Sequence, residues 1–197
     1  GGLGVGYQQS IGGPDGFLLY QLSLNAEGEY RLLPNVWASG QASYRFLDNY
    51  QDFNYTGPSL LPRVRTFLRE SLTTSNATLP NAQLTATTTL APNWYALGYA
   101  GLLESMFAGV GGEVLYRPFG KALALGVDVN YVQQRDFAQG LELRDYKVLT
   151  GHANAYWRTG WQGVLAKVKV GRYLARDLGV TLDMSRQFAN GVEMGAY

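Results

Sequence analysis

Apolar residues recur along this chain at every second position. From 18 to 26 the even positions hold Leu18, Tyr20, Leu22, Leu24 and Ala26, with Gln21, Ser23 and Asn25 between them. From 36 to 46, Val36, Ala38, Ala42, Tyr44 and Phe46 alternate with Ser39, Gln41, Ser43 and Arg45. Leu84, Ala86 and Leu90 alternate with threonines, and Val110 and Val114 with Gly111, Glu113 and, further on, Arg117. Leu123, Leu125, Val127, Val129 and Tyr131 oppose Asp128 and Asn130. Leu149, Ala153, Ala155 and Trp157 oppose Thr150, His152, Asn154 and Arg158. Val164, Ala166, Val168 and Val170 oppose Lys167 and Lys169, and Val180, Leu182 and Met184 oppose Thr181, Asp183 and Ser185. A period of two is the mark of strands with unlike faces, because successive side chains of a strand point to opposite sides. The stretch 94–103 is apolar on both parities, but Gly98 and Gly101 argue against a helix at about 1 kcal/mol each, and it too reads as a strand.

Turn chemistry separates these segments at Gly12–Gly16, Pro92-Asn93, Pro118–Lys121, Arg158–Gly160 and Asn190-Gly191. The pattern predicts an all-β, antiparallel protein of about ten strands of about ten residues, the length a tilted strand needs to cross a bilayer. Two connections read as long, at about 47–81 and 133–145. They are the third and the seventh, while the fourth, sixth, eighth and tenth read as tight turns. One rim of short turns and another of longer loops is the asymmetry of an outer-membrane barrel.

Composition bears on which solvent the apolar face meets. Only 16% of the 197 residues are charged and the net charge is +1, against a norm of about 25% charged. A soluble sandwich or closed soluble barrel shows the same alternation but places abundant Lys, Arg, Glu and Asp on its outer face. Here the polar faces carry Ser, Thr, Gln, Asn and Gly instead, and Tyr7, Tyr20, Tyr44, Phe46, Tyr95, Tyr116, Tyr131 and Trp157 tend toward strand ends, where membrane aromatic girdles lie. The reading is a transmembrane β-barrel over 1–197, closed by this chain alone or part of a larger barrel. A Lys on the lipid face near the midplane costs roughly 2–4 kcal/mol. Arg45, Glu113, Arg117, Asp128, His152, Asn154, Lys167, Lys169 and Asp183 are therefore expected to face the lumen.

Other classes are excluded or left thin. The chain has no cysteine, hence no disulfides, Cys-ligated zinc, thiol nucleophile or N-terminal lipidated cysteine. Balanced charge leaves no footprint for nucleic acid, and no spacing suggests a metal or other cofactor. Ser71 to Leu103 is uncharged, but Pro80, Pro92 and many Thr and Asn make it unsuitable as a membrane helix. The start, GGLGVGYQQS, does not resemble a signal peptide, so the chain reads as a mature segment or as a piece whose export signal lies outside it. Gly1–Gly6 and Val110–Gly112 are expected to be strand glycines rather than phosphate loops, since neither opens a helix. Asn54-Tyr55-Thr56 and Asn76-Ala77-Thr78 match glycosylation acceptors, which carry no meaning in a bacterial barrel.

Two candidate chemistries remain. His152, the single histidine, has Asn154 on its own face and could act as the base of an acyl hydrolase; the alternative is an ordinary polar lumen residue, and no catalytic role is expected. Arg63, Arg65 and Arg69 lie in the most basic stretch and suit bidentate contact with acidic sugar or lipopolysaccharide phosphate. The alternative there is a solvated loop with one amphipathic turn on Val64, Phe67 and Leu68.

Specific strings add what pattern cannot. Asn49-Tyr50, Phe53-Asn54-Tyr55, Leu61–Thr66, Met106–Gly120, Asp128–Phe137, Leu143–Tyr146, Leu149–Ala153 and Ser185–Gly191 resemble the YjbH/GfcD family of Gram-negative outer-membrane proteins. The resemblance implies a β-barrel tied to exopolysaccharide or capsule production and export, as conduit or scaffold, in the bacterial outer membrane. Its implied partners are outer-membrane lipid and lipopolysaccharide, polysaccharide, and other proteins of the export machinery. The competing readings are a structural barrel plugged by the 47–81 connection, and the hydrolase.

Overall fold

The computed structural model describes residues 1–13, 16–54 and 60–196. Pro14 and Asp15 of the first turn, Tyr55 and Thr56 of the first glycosylation match, and Tyr197 lie outside the described residues. Within the described residues the chain is all-β, with eleven strands. They are β1 (Gly2–Gly13), β2 (Gly16–Leu33), β3 (Val36–Asp48), β4 (Ala77–Ala91), β5 (Trp94–Leu102), β6 (Phe107–Tyr116), β7 (Leu123–Arg135), β8 (Leu143–Arg158), β9 (Val164–Arg172), β10 (Leu178–Gln187) and β11 (Glu193–Ala196). They form one sheet in chain order, each strand beside its sequence neighbour, with β1 and β11 at the ends of that order. A short helix, α1 (Leu68–Thr73), and a 3₁₀ turn at Tyr50–Asp52 lie between β3 and β4.

The two-residue alternation is the register of the sheet. Across β8, β9 and β10, Ala155, Val168 and Leu182 stand in one row, and Ala153, Val170 and Val180 in the next. The row between them holds Asn154, Lys169 and Thr181, and the row on the other side of Ala155 holds Tyr156, Lys167 and Asp183. A one-residue slip would exchange the two faces entirely. The apolar face is the exposed one: Val180 is 70% and Val127 58% exposed, whereas Asp128 is 8% and Thr150 5% exposed. This inverts the arrangement of a soluble sheet, whose apolar side is the buried side.

Several details depart from simple alternation. Leu22 pairs with Leu47 but Ser23 with Arg45, so Phe46 is an extra residue in β3, a bulge that leaves Phe46 and Leu47 both exposed. The strands also run further than the periodicity suggests. Gln133 to Arg135 carry no alternation, yet β7 runs through them to Arg135, and just beyond it the Asp136 amide donates to the Glu142 carbonyl at 3.0 Å. The seventh connection is therefore 136–142, and the third is 49–76. The fifth (103–106) and ninth (173–177) are short, so among the described connections one alone is long. At the fourth, Pro92 precedes Asn93 at φ 69°, the positive-φ second position that follows proline in a type II turn.

The chain divides into two compact units. The first comprises Gly1–Thr85, Tyr99–Val110 and Val132–Lys147; the second comprises Ala86–Gly98, Gly111–Tyr131 and Val148–Tyr197. The first has a small apolar core of Leu19, Tyr50, Leu102, Met106, Phe107, Ala108 and Val132.

Candidate functional site

In the first unit the polar faces of β1 to β3 form a floor. Register places Gln8, Gln21 and Asp48 in one row, then Gly6, Ser23 and Arg45, then Gly4, Asn25 and Ser43, then Gly2, Glu27 and Gln41. The early glycines fall on the polar face because the alternation puts Leu3, Val5 and Tyr7 on the other. At Gly6 a Cβ would stand 2.5 Å from Asn25 Nδ2 and 2.8 Å from Ser23 Oγ, so glycine there makes room for these two side chains above the floor. Gly6, Ser23 and Asn25 line a cavity of about 490 Å³, walled on another side by Leu68, Ser71 and Leu72 of α1 and by Ser75 and Asn76.

Arg45 connects floor and wall. Its guanidinium donates to the carbonyls of Leu72 and Ser75 and to Asn76 Oδ1 (2.7 Å), pairs with Asp48 at 2.9 Å, and lies 5.1 Å from the Tyr50 ring centroid. Burial pushes the pKa of the Tyr50 hydroxyl up; the Arg45 charge opposes the rise and Asp48 adds to it.

Two residues with no role assigned from sequence hold the same wall. Arg135 is 1% exposed and donates to the carbonyls of Glu104, Gln139 and Gly140 at 2.7, 2.7 and 2.8 Å. Gln139 Nε2 in turn donates to the Ser71 carbonyl at 2.7 Å. Arg135 ends β7 and Gln139 lies in the connection that follows, where nothing in the pattern separates a buried arginine from a solvated one.

The arginines of the 49–76 connection are largely engaged. Arg65 pairs with Glu104 at 2.7 Å and Arg69 with Glu70 at 3.8 Å, both partly exposed, so each pair contributes little. Arg63 lies 5.6 Å from the Phe67 ring. Arg144 does more, sitting 4.7 Å from Phe67 and 4.2 Å from Phe137, two rings that meet edge to face at 5.2 Å. The amphipathic turn expected on Val64, Phe67 and Leu68 is a helix that starts at Leu68, with Phe67 at its N-terminal boundary.

The second unit holds the other lumen candidates. Asp128 is the common acceptor of a buried trio: His152 Nδ1 lies 2.9 Å from its Oδ1, and Asn154 Nδ2 donates to its Oδ2 at 2.7 Å. A carboxylate can only accept, so Nδ1 carries the imidazole proton toward it. The Tyr173 ring meets His152 edge-on at 4.8 Å, and its hydroxyl bonds Thr181 at 2.6 Å. The ring fits because Gly179 lacks a Cβ, which would stand 3.3 Å from Tyr173 Cε2. His152 Nε2 is buried without a hydrogen-bond partner among the described residues. Acyl transfer needs a hydroxyl nucleophile at that nitrogen.

Beside the trio, Tyr156 donates to Glu113 at 3.0 Å and lies under Lys167, whose Nζ is 5.4 Å from the ring centroid. Lys167 stands between Tyr156 and Asp183 across the strands, and Lys169 between Asn154 and Thr181. Arg117 falls just beyond β6 and is exposed; with Lys121, Arg158, Glu113 and Glu193 it lines a second cavity of about 600 Å³. No group of three or more acidic or imidazole ligands able to hold a metal occurs among the described residues. Among the described residues no helix is long and apolar enough to span a membrane, which leaves crossing by strands open.

Comparison with known proteins places the chain. The family model described as "Exopolysaccharide biosynthesis protein YbjH" matches residues 1–197. The lipoprotein YjbH of Escherichia coli (strain K12) is 41% identical over 196 residues, covering 96% of this chain and 28% of that protein, so the chain spans about 28% of its curated relative's length. No solved structure matches. An all-β chain whose family match runs from its first residue to its last belongs to the YjbH family of exopolysaccharide biosynthesis proteins.

Proposed function

We propose that this chain forms all or part of a transmembrane β-barrel in the bacterial outer membrane, and that the protein supports production and export of exopolysaccharide or capsule without being an enzyme. The observation that carries the reading is the inverted burial. Strands that expose Val127, Val129, Val180 and Leu182 and bury Arg45, Asp128, His152 and Asn154 suit lipid outside and water or packed polar groups inside. Family membership supplies the link to exopolysaccharide. The nine lumen candidates and the Arg-rich connection are the residues through which it would meet polymer, lipopolysaccharide phosphate and partner proteins.

A specific observation favours a plugged form as the second reading. Residues 68–76 of the third connection stand over the polar floor of the first unit, and 63–76 is fastened by Arg45, Gln134, Gln139 and Arg144. In that form the protein is a scaffold, or a conduit that opens when the connection leaves.

Deletion of the gene, with complementation, tests the main reading: surface polysaccharide should fall and be restored by the intact gene. Unchanged polysaccharide would refute it. Single-channel recording of the full-length protein separates steady conductance, expected of an open conduit, from a closed baseline.

A further inference from the structure

We propose that the cavity of the first unit binds an uncharged, polyhydroxylated chain segment, that is, a neutral saccharide. The inference rests on the polysaccharide reading above and narrows its substrate class. At about 490 Å³ the cavity is in the range of small-molecule sites. Its lining is unusual in chemistry: amides and hydroxyls predominate, and Arg45 is its one charged side chain among the described residues.

That charge is already spent. Arg45 pairs with Asp48 at 2.9 Å and donates to the carbonyls of Leu72 and Ser75 and to Asn76 Oδ1. A carboxylated or phosphorylated ligand would find no free cation there and would have to shed its hydration without compensation. The amides, by contrast, are half-used. Gln21 Nε2 donates to Gln8 Oε1 at 2.7 Å, leaving the Gln21 oxygen and the Gln8 nitrogen free. Asn25 Oδ1 accepts from Ser23 (3.2 Å) and Ser43 (2.7 Å), leaving its Nδ2, which stands over Gly6 at the cavity, to donate to a ligand. Gln41 lines the cavity too. Free amide N–H and C=O groups side by side match sugar hydroxyls, which donate and accept at one atom.

The test uses full-length protein purified in detergent and a panel of oligosaccharides: uncharged gluco-, manno- and galacto-oligomers, and polygalacturonate fragments as the acidic arm. Binding is read by calorimetry at low and high salt. At least one uncharged oligomer should bind at least about tenfold more tightly than the acidic one and independently of salt. Asn25→Ala should weaken it about five- to tenfold, as for one lost hydrogen bond, and Gly6→Leu, which fills the cavity, should abolish it. Both variants are checked for the wild-type β-signal in circular dichroism. Salt-sensitive preference for the acidic arm, no binding across the panel, or wild-type binding by folded Gly6→Leu would overturn the proposal. Loss of surface polysaccharide on deletion is independent of these outcomes, so the cavity assignment can fail while the export reading stands.

Discussion

At the scale of single residues, the polar side chains of this protein act by holding one another. Asp128 accepts from both His152 and Asn154 in a buried setting. Asp128→Ala leaves two buried groups without an acceptor and should cost about 1–3 kcal/mol, read by denaturant unfolding in detergent; a loss below a few tenths would show that the trio is not structural. His152→Ala should leave surface polysaccharide at the wild-type level if the imidazole is a lumen residue, and abolish it if acyl transfer is the activity. Asn154 and His152 were legible as polar-face partners from the parity of 149–157. Asp128 could be placed on a polar face but not joined to them, because cross-strand register is a tertiary fact. Arg135 was invisible as a clamp: its three acceptors are backbone carbonyls, which no sequence pattern marks.

At the scale of elements, the exposed row of β10 gives the sharpest contrast between solvents. On a soluble surface, a charge at the 70%-exposed Val180 would change stability by no more than about 0.5 kcal/mol. In a lipid-facing strand, Val180→Arg should cost roughly 2–4 kcal/mol or block assembly, while Val180→Leu is tolerated. Folding yield into liposomes measures the difference. The 49–76 connection makes a second prediction. Arg45→Ala and Gln139→Ala remove its ties to Leu72, Asn76 and Ser71. Hydrogen exchange over 68–76 should then rise, and channel openings should become more frequent; unchanged exchange would mean that packing of Phe67 against Arg144 and Phe137 suffices to hold it. The strands and most turns were legible because period two and Pro, Gly and Asn punctuation are local. The bulge at Phe46 and the added length of β7 and β8 were not, since both are set by pairing with a neighbouring strand.

At the scale of the whole molecule, low charge acquires a physical meaning. The 16% of charged residues is the share left when strands such as β7 and β10 expose an apolar face and the other face is satisfied mainly by amides and hydroxyls. Family strings supplied the link to exopolysaccharide, which no composition could provide. The central claim is that the apolar parity meets lipid. The chain contains no cysteine, so single cysteines can be placed one at a time along 180–185 without background from this region. Spin labels attached there in liposome-embedded full-length protein report contact with oxygen, which partitions into lipid, against a water-soluble nickel chelate. Alternation of period two is expected, with lipid contact at 180, 182 and 184 and water or restricted contact at 181, 183 and 185. Uniform access of the chelate to the even positions would contradict it.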